Sequence, residues 1–154
     1  MRLSILIDTI RLNALRCKCS NYLHICVAFR GGKILAYGYN CCCSSTRRYG
    51  HAGSVHAEIK MLEKIGKTKK NFDILVIRIN KSGTELLDSQ PCRRCENWIR
   101  NYPVNRIYFS TSDGTINYIF RKQIPKTFKM KKKYRKLEMR KTDIDVGYCI
   151  NNVS

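Results

Sequence analysis

At 154 residues the chain has room for one domain, large enough to bury about 68–70% of its unfolded surface, and none for a second catalytic domain. Lys and Arg number 30 against 11 Asp and Glu, a formal net charge of +19 that points toward polyanionic partners. The 9 Cys are odd in number and irregularly spaced, which argues against a disulfide framework and for a reducing intracellular compartment, cytoplasmic or nuclear.

In chain order, the opening run Leu3 to Ile7 is interrupted by Asp8 and followed by Arg11, too short for a signal core or a membrane span. It reads instead as a helix over about 4 to 16, with Leu3, Ile7, Ile10 and Leu15 roughly on one face. Residues 22 to 29 form an apolar strand, Gly31-Gly32 a hairpin turn, and Lys33 to Tyr39 the antiparallel partner. A loop rich in Cys, Ser, Arg and Gly follows and includes Cys41, Cys42 and Cys43, read as reduced thiols. Ser54 then caps a helix from Val55 to Ile65, which Gly66 ends. Phe72 to Ile79 is a buried strand. Ser89 or Gln90 leads through Pro91, placed in the first turn, into a helix reaching Arg100. Val104 to Ser110 and Thr115 to Phe120 are strands joined by Thr111-Ser112-Asp113-Gly114, too short for a parallel crossover, so the last two strands form an antiparallel hairpin. The alternation of helices and strands after the first hairpin implies an α/β fold: a three-layer α/β/α sandwich around a mixed five-stranded sheet.

Two short segments carry the chemistry. His56-Ala57-Glu58 and Pro91-Cys92-Arg93-Arg94-Cys95 are separated by room for one strand. Cysteines at i and i+3 in a first helical turn face one side, and a His from another helix start completes a three-ligand set that leaves a fourth position open, as catalytic zinc sites do. One neutral His and two thiolates balance the charge of Zn2+, which brings a bound water to a pKa of about 7. Glu58 is long enough to approach that water without ligating the metal. Taken singly the motifs are weak: H-x-E arises by chance on helix surfaces, and C-x-x-C serves equally as a redox pair, half of a four-Cys site or two buried thiols. A redox pair has no use for His56-Ala57-Glu58, and no second C-x-x-C exists to complete a structural site.

In this order and spacing the two motifs resemble the zinc-dependent cytidine and deoxycytidylate deaminase superfamily, over roughly residues 23 to 120. The resemblance implies that His56, Cys92 and Cys95 hold zinc. It implies that Glu58 takes a proton from the zinc-bound water and returns it to the ring nitrogen and then the leaving amine, while hydroxide adds to the ring carbon and ammonia departs. It also implies a substrate-binding role for Asn40, which ends Tyr37-Gly38-Tyr39-Asn40, and a pocket position for His51 and Tyr108. As readings of the residues alone, Asn40 is a turn former, His51 a solvated loop His, and Tyr108 a core residue of its strand. His24 reads as structural and Trp98 as packed on the sheet. Two family cues point apart: the final hairpin is similar to free-nucleoside deaminases, whereas His at position 56 is similar to the deoxycytidylate, tRNA-adenosine and polynucleotide group. Glu96 stands where many relatives carry a small residue.

Residues 121 to 141 hold eleven Lys or Arg and one Glu, so this extension supplies +10 of the charge and the remainder +9. Met130, Tyr134 and Leu137 recur at helical spacing, as in a basic amphipathic helix, and Lys131, Lys132, Lys133, Arg135 and Lys136 are its candidate phosphate contacts. The expected organisation is a deaminase domain over 1–120 and a basic extension over 121–154. The expected function is conversion of cytosine to uracil in a CMP- or dCMP-like nucleotide, positive potential favouring phosphorylated substrates. The alternatives are deamination of cytosine or adenine in RNA or single-stranded DNA, and a nucleic-acid-binding protein with structural zinc. A membrane partner is not expected, and homo-oligomers, common among the relatives, are left open.

Overall fold

In a computed structural model, residues 3–14, 23–40 and 55–124 are described. They form α1 (Leu3–Ala14), β1 (Leu23–Arg30), β2 (Lys33–Tyr39), α2 (Ala57–Ile65), β3 (Phe72–Ile79), β4 (Leu86–Leu87), α3 (Arg93–Ile99), β5 (Val104–Ser110) and β6 (Ile116–Phe120), followed by a 3-10 turn at Arg121–Gln123. Cys41 to Cys43, His51, Ser54 and everything proposed for the basic extension beyond Ile124 lie outside the described residues.

The strands form one mixed sheet in the order β2-β1-β3-β5-β6, with the two-residue β4 pairing the end of β3. The sheet thus has six strands where five were expected, because a two-residue strand carries no period to read. Gly31 and Gly32, at φ 54° and 79°, make the tight turn that returns β1 into antiparallel β2. β3 runs antiparallel to β1 and parallel to β5, and the Thr111 to Thr115 turn folds β6 back antiparallel on β5. Both hairpins agree with the pattern of turns and connection lengths, and among the described strands parallel pairing is confined to β3 and β5.

Two apolar clusters sandwich the sheet, as its alternating side chains require. On one face Cys26, Ala28, Phe72, Ile74, Val76, Ile107 and Phe109 meet Ala57, Met61 and Leu62 of α2 and Ile99 of α3. On the other, Leu6 and Ile10 of α1 cover Leu23, Ile25, Val27, Leu75, Ile77 and Ile79. Leu6, absent from the expected stripe of α1, is as fully buried as Ile10. The result is the expected α/β/α layering.

α2 begins at Ala57 rather than Val55: His56 is its N-cap in extended conformation, and Val55 precedes it as an isolated bridge. α3 likewise begins at Arg93 with Cys92 as N-cap, so Pro91 lies just ahead of the helix rather than in its first turn. Apolar Val55 and helix-compatible Pro91 extended both expectations outward, since neither residue type marks the cap itself.

Candidate active site

His56 and Cys92 occupy equivalent places, each the extended N-cap of a helix on the same face of the sheet (ψ 149° and 158°). Neither side chain caps its own helix; each helix is opened instead by the cap carbonyl, which accepts from Lys60 N–H and Glu96 N–H at 3.2 and 3.0 Å. The two side chains face one another instead. His56 Nδ1 lies 3.6 Å from Cys92 Sγ and 3.2 Å from Cys95 Sγ. Among the described residues this is the cluster able to hold a metal, with all three donor atoms within 4.8 Å of one another.

The donor geometry suits zinc. With Zn–S near 2.3 Å and Zn–N of 2.0–2.1 Å, a tetrahedral ion sets nitrogen and sulfur donors about 3.6 Å apart, the separation of His56 from Cys92. Electrostatics agree with this. The Cys95 thiol donates to Cys92 and, with His56, pushes the Cys92 thiol down to about 3, so it is a thiolate at neutral pH. Cys95 is pushed up by its bond to that thiolate and by burial. His56 is raised chiefly by its bond to Cys92. Two sulfurs and an imidazole thus share protons at one point, and a divalent cation replaces those protons with a stronger positive charge.

Glu58 completes the constellation. It is only 4% exposed, and burial raises its carboxyl pKa, against the lowering effects of its own backbone N–H and the His56 charge. It hydrogen-bonds with Cys95 and lies close enough to Cys26 to raise that buried thiol further. A buried carboxyl beside a three-donor set, its pKa raised by burial, can both accept and return a proton.

Three anchors fix this arrangement. Gly38 of β2 lets α2 approach so closely that a Cβ there would lie 2.4 Å from Ala57 O and Met61 N. Cys95 is fully buried with Val55 and Ile59, with Trp98 packed against them and against the main cluster, as expected of Trp98. The segment leading to Cys92 is held by serines: the Ser89 hydroxyl donates to Val76 O (2.8 Å) and accepts from Ser110 N–H (2.8 Å), and the Ser110 hydroxyl donates to Leu87 O (2.6 Å). The ends of β3 and β5 thereby position the cysteine helix.

The remaining expected site residues divide. Asn40, 9% exposed, exchanges bonds with His24, its Oδ1 accepting from His24 N–H at 3.0 Å and its own N–H donating to His24 O at 3.2 Å. His24 itself is lowered to about 4, first by burial and then by Arg78 and His56, which puts it beside the site. Asn40 is thus tied to the main chain of His24, whose side chain feels the His56 charge. Tyr108 is not brought there: it packs with the α1-side cluster, whereas its neighbours Ile107 and Phe109 face α2 and α3. Strand alternation identified Tyr108 as packed without revealing which face holds the chemistry. Glu96 is partly exposed, with its carboxyl raised by burial and by the Cys92 charge. His24, Cys26 and Arg78 were not singled out for the site. The signal was available in their even-numbered positions, since His24 pairs Arg78 and Cys26 pairs Val76 on the face that α2 covers.

A family profile described as the cytidine and deoxycytidylate deaminase zinc-binding region matches residues 4–111, well over half of the chain. The chain belongs to this family. The match to the deaminase family begins within α1, so the N-terminal segment lies inside the related region rather than before it. The curated proteins searched contain no match to this deaminase. Among solved structures, the deaminase is similar to a dCMP deaminase from the cyanophage S-TIM5 in complex with dCMP and dUMP, at 21% identity and a TM-score of 0.52, over 74% of this chain and 89% of that one. The apo form of the same phage enzyme gives a TM-score of 0.51 at 21% identity, over 74% and 89% of the two chains. A cytidine deaminase from Mycobacterium leprae aligns at 21% identity and a TM-score of 0.45, over 73% and 92%. The phage structures establish that the deaminase shares their fold. Among its described residues no helix is long and apolar enough to cross a membrane.

Proposed function

We propose that this deaminase hydrolyses cytosine to uracil within a pyrimidine nucleotide of the CMP or dCMP class, releasing ammonia. The observation that carries the proposal is the buried Glu58 carboxyl beside His56, Cys92 and Cys95 at the mouths of two helices. The three residues would hold Zn2+, which when bound lowers the pKa of a water ligand to about 7 and so supplies a nucleophile at neutral pH. Glu58 accepts the proton given up in that activation. Its buried setting holds the proton until it passes to the ring nitrogen; Glu58 then takes the proton left on the added hydroxyl and gives it to the exocyclic amine, so that the carbonyl forms as neutral ammonia leaves. As a zinc ligand His56 would be neutral, and the α2 backbone fixes the two-residue spacing from His56 to Glu58. In this reading Asn40 would meet the sugar end of the substrate, held in place by its two bonds to the His24 main chain.

A phosphorylated substrate is supported by the net charge of +19. The phage relative, crystallised with dCMP and dUMP, is consistent with it. The antiparallel β5–β6 hairpin is the family feature associated with free nucleosides, and it is the observation favouring a second reading, cytidine itself. Zinc-loaded protein incubated separately with cytidine, CMP, dCMP, single-stranded DNA and tRNA, with products read by mass spectrometry, distinguishes them. Product from CMP or dCMP above all others is expected. Product from cytidine alone, or from a polymer alone, would replace the nucleotide reading, and none from any substrate at full zinc content would move the function to binding.

A further inference from the structure

α1 covers β1 and β3, but among the described residues no helix covers the same face toward β6. Phe29, Tyr108, Tyr118 and Phe120 run across this part of the face as a chain of rings, with successive centroids 6.0, 5.6 and 5.7 Å apart. Tyr118 is 54% exposed and Phe120 38%, although both are large and apolar. Register accounts for the alignment: Tyr118 pairs Tyr108 and Phe120 pairs Arg106, so all four side chains leave one side of the sheet.

The ring chain is edged by two cations, Arg106 and Lys122, with one carboxylate, Asp73, beside Arg106. Arg106 is exposed and its Nη1 donates to the Tyr108 hydroxyl at 3.0 Å, and Lys122 Nζ lies 5.5 Å from the Phe120 ring centroid. Both cations are held at the level of the rings by contacts with the aromatic residues themselves. A dimer interface would favour apolar neighbours or acids facing these bases on the second copy, and with 30 basic against 11 acidic residues two copies repel. A polyanion carrying flat apolar groups satisfies both parts of the patch.

We propose that the open face of β5 and β6 is a stacking platform for single-stranded nucleic acid, with unpaired bases laid on Tyr118 and Phe120 and the flanking phosphates met by Arg106 and Lys122. Open sheet faces with aromatics interleaved among basic residues bind single strands in this way, because every base offers a π-face while the cations follow the backbone. A duplex, with its bases already stacked, leaves the rings unused. The platform lies on the opposite side of the sheet from His56, Cys92 and Cys95, so it stands independently of the substrate proposed for that site.

The test uses the full chain and two fluorescent oligomers of equal length and phosphate number, one of thymidines and one of abasic spacers, titrated by anisotropy. Wild type is expected to bind the thymidine oligomer about tenfold or more tightly than the abasic one, the worth of one or two stacked bases. Tyr118→Ala with Phe120→Ala should remove that difference while leaving abasic binding intact. Tyr118→Phe should preserve it, as should Tyr37→Ala at the far edge strand. If the double variant melts early, Tyr118→Ala alone serves, being the more exposed position. Equal binding of both oligomers by wild type overturns the proposal, as does a base preference that survives in the folded double variant. A double variant that sediments as monomer where wild type is dimer, with unchanged oligomer binding, assigns the face to a second copy and also overturns it.

Discussion

Gly38→Ala tests whether the packing of α2 on β2 sets the catalytic geometry. A Cβ at position 38 would lie 2.4 Å from both Ala57 O and Met61 N and 2.9 Å from Lys60 C, whereas ordinary contact begins at 3.4 Å. Relief requires β2 and α2 to separate by about 1 Å, because the obstructing atoms are backbone and have no rotamer to change. Overpacking costs typically 1–3 kcal/mol, and contact with three main-chain atoms at once puts this substitution near the upper end, about 3 kcal/mol. The same displacement carries His56 and Glu58 away from Cys92 and Cys95, which belong to α3 and do not follow. A shift of about 1 Å in such a group costs on the order of a hundredfold in rate. Urea denaturation in the presence of chelator reads the first effect, and competition of the protein against a zinc indicator reads the second. A variant with wild-type midpoint refutes the close-approach argument. One that is destabilised but binds zinc with unchanged affinity refutes the claim that α2 sets the site.

Ser89→Ala removes a buried hydroxyl that joins Val76 O to Ser110 N–H, and should cost about 1–3 kcal/mol in urea denaturation; a loss below about 0.5 kcal/mol would show that the serine network does not anchor the cysteine segment. His24 is depressed from 6.5 to about 4, so between those values the unfolded chain binds the proton that the folded chain refuses. Its contribution to stability is complete above pH 6.5 and is lost as pH falls toward 4, by about 3 kcal/mol at most. Compared with wild type over that window, His24→Gln should show a correspondingly flatter stability profile, and parallel profiles would exclude His24 as a source of acid sensitivity. His56→Ala should abolish stoichiometric zinc binding by elemental analysis while the protein still melts cooperatively; retention of one equivalent of zinc would displace His56 from the ligand set.

The strands were legible because their cues are local. Lys33–Tyr39, Phe72–Ile79 and Val104–Ser110 are apolar runs closed by Gly, Asn or Pro, and the lengths of the connections fixed which pairs run antiparallel. The ligand cluster was legible because side-chain chemistry restricts what H-x-E and P-C-x-x-C can do together, and the structure brings His56, Cys92 and Cys95 to one point. The starts of α2 and α3 were read too early, since their caps are the candidate ligands His56 and Cys92, which resemble no ordinary capping residue. What lay beyond sequence was contact at a distance. Gly38 looks like any strand glycine until α2 lies against it, and Ser89 and Ser110 acquire meaning only when β3 and β5 bring them together. Tyr108 shows the same limit from the other side: alternation separates the two faces of a strand without labelling them.

The central claim is that Glu58 moves the proton at a zinc centre that deaminates a pyrimidine nucleotide. Its most direct test is turnover of dCMP by wild type and by Glu58→Gln, both first shown by elemental analysis to hold one equivalent of zinc. The account predicts dUMP and ammonia from wild type, and turnover in the variant reduced by at least about a hundredfold at equal zinc content. Equal turnover in the two proteins would contradict it.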